Sequence, residues 1–209
     1  MSAALAPTDG RARRARAQRD KRRAEILKAA ARVFATKGFE LGSISDVIEK
    51  AGIARGTFYL HFESKHAIVG ELLDDLLQTL DATVERVDVG STVSPYDQLI
   101  GNLVRVLEVL DEHVDVTRIL LGGTHPAELA PRVEAFWRES LALIRSSLST
   151  GVELGIVRSI DVDVVAPAIL GALKESVARL VVVERAPLDR QELARKLLDY
   201  LLFGLLVRS

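Results

Sequence analysis

An all-α fold of about nine helices is predicted for this chain of 209 residues, and three observations predict it. Apolar residues recur at three- and four-residue spacings almost throughout, without the sustained period-two alternation that half-buried strands require. The interruptions fall at Gly, Pro and Ser/Asp positions, which end or cap helices. With 48% apolar residues the chain can bury a core, as one large domain or two small ones.

Charge divides the chain more sharply than its net value of -1 suggests. Residues 1–65 carry 14 Lys and Arg against 7 Asp and Glu, whereas the remainder carries 14 against 22. A basic first third suits a polyanion, which an acidic remainder would repel. The chain has no cysteine, so disulfides, thiolate metal sites and cysteine nucleophiles are excluded, which fits a cytoplasmic protein. No apolar stretch follows the N-terminal arginines as a secretory signal would need. The greasiest late segment, 197–207, contains Asp199 and Gly204 and is far shorter than the roughly 20 residues of a membrane span, so no membrane partner is expected.

Taken in order, residues 1–20 read as a basic flexible arm, with eight Lys and Arg between Arg11 and Arg23 against Asp20 alone. Such an arm either tracks phosphates and the minor groove or is a solubilising tail. Ile26, Leu27, Ala30, Val33 and Phe34 form the apolar stripe of a first helix, ended by Gly38. A second helix spans about 44–51, with Ser43 and Asp46 spaced as a capping box, and Gly52 stops it. A third, 55–61, follows after a gap short enough for a helix-turn-helix. Ser64 caps a fourth, expected to reach about Asp88, and Pro95 opens the fifth after a Gly90, Ser91, Thr92 loop. Further breaks are expected at 122–126 and 151–161, and two strongly apolar helices close the chain at about 162–184 and 188–207, split by Ala186 and Pro187. The domains expected are therefore a helix-turn-helix domain over 21–66 and a helical domain over 67–209.

In the helix-turn-helix, Val47, Ile48, Ile53, Phe58 and Phe62 are the apolar residues that lock two short helices onto the first. Arg55, Thr57, Tyr59, Leu60 and His61 are left to face outward, from a two-turn helix whose N-terminal end fits the major groove. Gly56 costs about 1 kcal/mol of helix propensity, a cost easier to understand where a sugar-phosphate backbone must approach closely. Thr57 and Arg55 can bond bases or phosphates. Ser43 and Ser45 at the second helix, and Lys65 in the first turn of the fourth, can hold a phosphate; for Ser43 and Ser64 a capping role is compatible with that.

Gly38 and Phe39, Gly42 to Ile44, Ala51 to Ile53, the run Gly56, Thr57, Phe58, Tyr59, then His61, Phe62 and Lys65 closely resemble the DNA-binding signature of the TetR family of bacterial transcriptional regulators. The likeness covers about 20–75 and departs at Ala54, where a capping residue is usual. It implies an operator-binding homodimer, a repressor responsive to a small-molecule effector of unstated identity, in which Tyr59 and His61 mostly touch the DNA backbone. It also implies that the last two helices form a four-helix dimer interface, for which Ala168, Gly171, Ala172, Leu193, Leu197, Leu201, Gly204 and Leu205 are candidates; the other reading is intramolecular core. The effector pocket would lie in the helices of 95–151, with Leu103, Leu107, His113, Thr117, His125, Phe136 and Trp137 as candidate lining. No nucleophile, acid/base or metal-ligand motif is evident, so neither enzyme activity nor a metal or cofactor is expected. A DNA-binding or adaptor protein without an effector, such as a nucleoid-associated one, is the alternative.

Overall fold

Side-chain caps set the starts of several helices. The computed structural model describes residues 9–121, 127–184 and 189–203, and all regular structure among them is helical, as expected. The helices are α1 (Asp9–Leu41), α2 (Ile44–Ala51), α3 (Arg55–Tyr59), α4 (Lys65–Thr83), α5 (Pro95–Glu112), α6 (Val114–Leu121), α7 (Ala130–Glu153), α8 (Val162–Val177) and α9 (Arg190–Phe203). A π-helical segment, Ala178–Glu184, continues α8. Two compact units divide at Leu72 and Leu73, within α4.

In the first unit, Ile26, Ala30, Val33 and Phe34 of α1 are buried with Val47, Phe58, Phe62, Ile68 and Val69. Ile48 and Ile53, expected inside, are only half-buried. Gly38 interrupts α1 as foreseen, with a left-handed φ of 76° that a side chain would strain. Gly42 answers a packing demand instead: a Cβ there would lie 2.7 Å from Phe34 Cδ1. The arm differs from expectation, since residues 9–20 continue α1 as helix. Alanine, arginine and glutamine are good helix formers, and the segment extends a helix already nucleated by its packed half.

In the second unit α4 stops at Thr83, short of the expected Asp88. The side-chain amides of α5 replace the missing helical bonds: Asn102 accepts from Glu85 N–H (2.9 Å) and donates to Glu85 C=O (2.7 Å). Gln98 likewise accepts from Asp88 N–H and donates to Asp88 C=O, both at 2.8 Å. Ser94 caps α5, with Pro95 in its first turn.

Helix α9 packs on α5 and runs antiparallel to it. Tyr96, at the start of α5, bonds Asp199 and meets the Phe203 ring at a tilt, whereas Asp111, at its end, pairs with Arg190. Helices α7 and α8 also pack antiparallel, tied by Arg145 to Asp163 (3.3 Å) and by Lys174 over the Trp137 ring (4.8 Å). Asp189 caps α9, which therefore begins at Arg190 rather than 188. The expected breaks at 122–126 and at Ala186 and Pro187 lie outside the described residues, as do His125, Gly204 and Leu205. Among the described residues no helix is long and apolar enough to cross a membrane.

Candidate nucleic-acid interface

The α2 to α3 turn is built by two caps. At the start of α2, Ser43 Oγ accepts from Asp46 N–H (3.2 Å), and Asp46 Oδ2 accepts from Ser43 N–H (2.9 Å) and from the Ser43 hydroxyl (2.8 Å). Lys37 donates to Asp46 Oδ1 at 2.6 Å, and chiefly through this bond, then through Ser43, the Asp46 carboxyl titrates at about 2. At the end of α2, Gly52 takes the left-handed conformation (φ 63°) and the chain reverses into Ile53 and Ala54. Ala54 is extended, and α3 starts without a side-chain cap.

Phe58 is fully buried and fixes the rotation of α3, with Phe62 packed behind it at 6.0 Å between ring centroids. Arg55, Gly56 and Tyr59 are consequently exposed and Thr57 is half-exposed. Tyr59 stands edge-on to Phe58 and is 45% exposed; the Arg55 guanidinium lies 5.9 Å from the centre of its ring. Leu60, which follows α3, is 74% exposed, an apolar side chain the fold leaves in water. Helix α3 is shorter than expected, because its last turn closes at Leu60 and His61 falls in the turn beyond.

Gly56 has no internal reason to be glycine. It is helical, and a Cβ built on it meets nothing within 4 Å. Either alanine or a polar residue would fit this fold and favour the helix.

Two of the expected phosphate ligands also make bonds within the free chain. Lys65 donates to three carbonyl oxygens at the end of α1, those of Phe39 (2.6 Å), Gly42 (3.1 Å) and Glu40 (3.3 Å), and its ammonium lies 4.2 Å from the centre of the Phe39 ring. An ammonium has three protons, and in the free chain Lys65 uses them to clamp the α1 terminus. The Ser43 hydroxyl proton is directed at Asp46, leaving Ser43 as a cap, while Ser45 is exposed. Ser64 caps α4 by accepting from Ala67 N–H at 3.0 Å.

Sequence reasoning also missed Arg23. Its Nε donates to Glu71 Oε1 (2.9 Å), a second nitrogen pairs with Glu71 Oε2, and a third donates to the His61 carbonyl (3.1 Å). Its guanidinium sits 4.6 Å over the Phe62 ring, so it binds α1 and α4 to the turn after the exposed helix. A cation in a run of arginines gave no sign that it would bridge to Glu71, 48 residues on. His61 is held below the usual histidine range, first by burial and then by Arg19, Arg23 and Arg22.

In the second unit the candidate pocket residues separate. Leu103, Leu107 and Thr117 are buried, and the Thr117 hydroxyl donates to Leu110 C=O at 2.8 Å, capping α5 from within. His113 ends α5 and is exposed. Phe136 and Trp137 are half-buried, edge-to-face at 4.9 Å. Of the interface candidates, Leu193 is buried in its own unit beside Ala194 and Leu198, and is core rather than contact surface. Leu197, Leu201 and Ala172 are half-buried; Ala168 and Gly171 are exposed.

These features define a helix-turn-helix DNA-binding module joined to a larger helical unit. The family model described as "Bacterial regulatory proteins, tetR family" matches residues 26–72. The HTH-type transcriptional repressor KstR2 of Mycobacterium tuberculosis is 32% identical over 152 residues, 71% of this chain and 76% of its own. A solved structure of KstR2 superposes with a TM-score of 0.72 at 29% identity, over 88% of this chain and 94% of that one. The HTH-type regulator YdgC of Bacillus subtilis is 26% identical over 90% of this chain and 94% of its own. The TetR-family regulator PfmR of Thermus thermophilus superposes with a TM-score of 0.69 at 26% identity, over 87% of this chain and 99% of that one. The chain belongs to the TetR family of bacterial regulatory proteins and is a DNA-binding transcriptional regulator.

Proposed function

We propose that this regulator is a ligand-responsive repressor that binds a palindromic operator as a homodimer, in the bacterial cytoplasm. The observation that carries the reading is the exposed face of α3, with a helical glycine at position 56 that the fold does not require. In the complex Gly56 admits the sugar-phosphate backbone, Arg55 and Thr57 meet base edges, Tyr59 and His61 lie along the backbone, and Ser45 meets a phosphate at α2. A helix this short reads few base pairs, so a second copy at a neighbouring half-site supplies the rest.

Helix α8 supports the dimer. Val164, Pro167, Ala168 and Gly171 fall on one exposed face, Val164 at 64%, and a Cβ on Gly171 meets nothing within 4 Å. A helix from a second subunit would occupy that space. Phe203 on α9, 60% exposed, adds an apolar anchor of the kind that interfaces use. For the effector, KstR2 is described as a ketosteroid transcriptional regulator, and the Phe136 and Trp137 pair with Lys174 offers an apolar wall beside a cation. Selection of random duplexes on the full chain tests the reading: an enriched inverted repeat bound by an even number of chains is expected. Enrichment without an inverted repeat, or binding by single chains, overturns it.

A further inference from the structure

The basic half of α1 is a charged surface that the fold leaves unused. Arg11, Arg13, Arg14, Arg16 and Arg19 are exposed along it, whereas the last two arginines of the run are held, Arg22 by Glu25 (2.8 Å) and Arg23 by Glu71 and the His61 carbonyl. Arg23 therefore fixes which side of α1 faces the turn after the exposed helix α3.

Helical geometry, about 100° and 1.5 Å per residue, carries that direction backward along α1. Arg16 and Arg19 fall within about 40° of Arg23, and Arg13 within about 80°. Arg14 and Lys21 fall on the opposite side, more than about 150° away. The near stripe runs along α1 about 10 to 15 Å from Arg23 to Arg16 and Arg13. The charge of Arg19 already reaches the His61 ring, which places the start of the stripe beside the DNA-facing turn. Like charges three residues apart repel along a helix, and Asp20 is the one acid among residues 10–24. A polyanion laid along the stripe relieves that repulsion.

We propose that Arg13, Arg16 and Arg19 form a second DNA contact, on the phosphates that flank the half-site read by α3. The contact is electrostatic and lengthens the footprint outward from each half-site without reading sequence. It rests on the reading that α3 enters an operator, and the test separates the two.

The test compares the full chain, R13A/R16A/R19A, and the opposite-face variant R14A/K21A, each first shown to unfold at the wild-type temperature. Binding is measured from low to high salt on two duplexes carrying the selected operator, one with long flanks and one trimmed flush with the repeat. On the long duplex the triple variant is expected to bind about tenfold or more weakly near 0.1 M salt, with a log–log salt slope shallower by about five units, since a homodimer loses three contacts at each half-site. R14A/K21A is expected to stay within about one unit of wild type. Trimming should cost the wild type what the triple substitution costs and should cost the triple variant nothing. A wild-type slope in the triple variant, equal losses in both variants, or equal losses on trimming overturns the flanking contact while leaving the α3 reading intact. If the full chain binds neither duplex specifically, the α3 reading fails and the flanking contact with it.

Discussion

Lys65 Nζ lies 2.6 Å from the carbonyl oxygen of Phe39 and 4.2 Å from the centre of its ring, so one cation closes the end of α1 by both hydrogen bond and ring contact. The Phe39, Glu40 and Gly42 carbonyls follow the Gly38 interruption, and a cation at a helix C-terminus satisfies them. Charge-assisted bonds of this kind contribute about 1.5 to 3 kcal/mol, and half-exposure moderates them. Lys65→Ala is expected to destabilise the chain by about 2 kcal/mol in denaturant unfolding. Its salt slope on operator DNA should match wild type; a slope shallower by about two units, one per subunit, would place Lys65 on a phosphate.

A DNA phosphate against His61, as proposed, would make binding sensitive to pH. In the free chain burial and Arg19, Arg23 and Arg22 hold its pKa below 6.5, so the folded protein disfavours the protonated ring and loses stability as pH falls through 6.5 toward the folded value. A phosphate against the ring offsets those arginines and raises the pKa, so binding takes up a proton. Operator affinity should therefore rise as pH is lowered from about 7.5 to 5.5, by at most one proton's worth of slope. His61→Gln should flatten that dependence. An identical dependence in both proteins would place His61 away from phosphate.

The last two helices divide into an exposed face, proposed as the subunit contact, and a core face, and substitution separates them. Ala168→Glu with Gly171→Glu puts charge on the exposed side of α8, and sedimentation should find a folded monomer. Leu193→Glu buries a charge beside Ala194 and Leu198, and should unfold the second unit instead. A dimer that survives the α8 pair would move the interface elsewhere.

The helix boundaries legible in the sequence are those set by local chemistry. Ser43 with Asp46, Gly52, Ser64, and Ser94 with Pro95 each act within a few residues, and each does in the structure what its spacing implies. Phe58 and Phe62 were equally legible, because only a buried pair can hold so short a helix. What escaped was long-range. Nothing near 84–88 announces that Gln98 and Asn102 will take over its backbone bonds, and nothing near Lys65 announces three carbonyls more than 20 residues away. Leu193 illustrates the same limit, since a leucine stripe has one composition whether its partner is α5 or a second subunit.

Gly56 offers the most direct measurement, because folding and the proposed DNA contact make opposite demands on it. Alanine at this open helical position should raise stability by about 0.5 kcal/mol, read as a small rise in Tm. In the same protein the added methyl would stand where the sugar-phosphate backbone must pass, and operator affinity should fall by about tenfold or more, the effect of losing about 1.4 kcal/mol. Gly56→Ala is therefore expected to be a more stable protein that binds its operator poorly. A variant that binds the selected operator as wild type does would contradict the assignment of α3 as the helix that enters the groove.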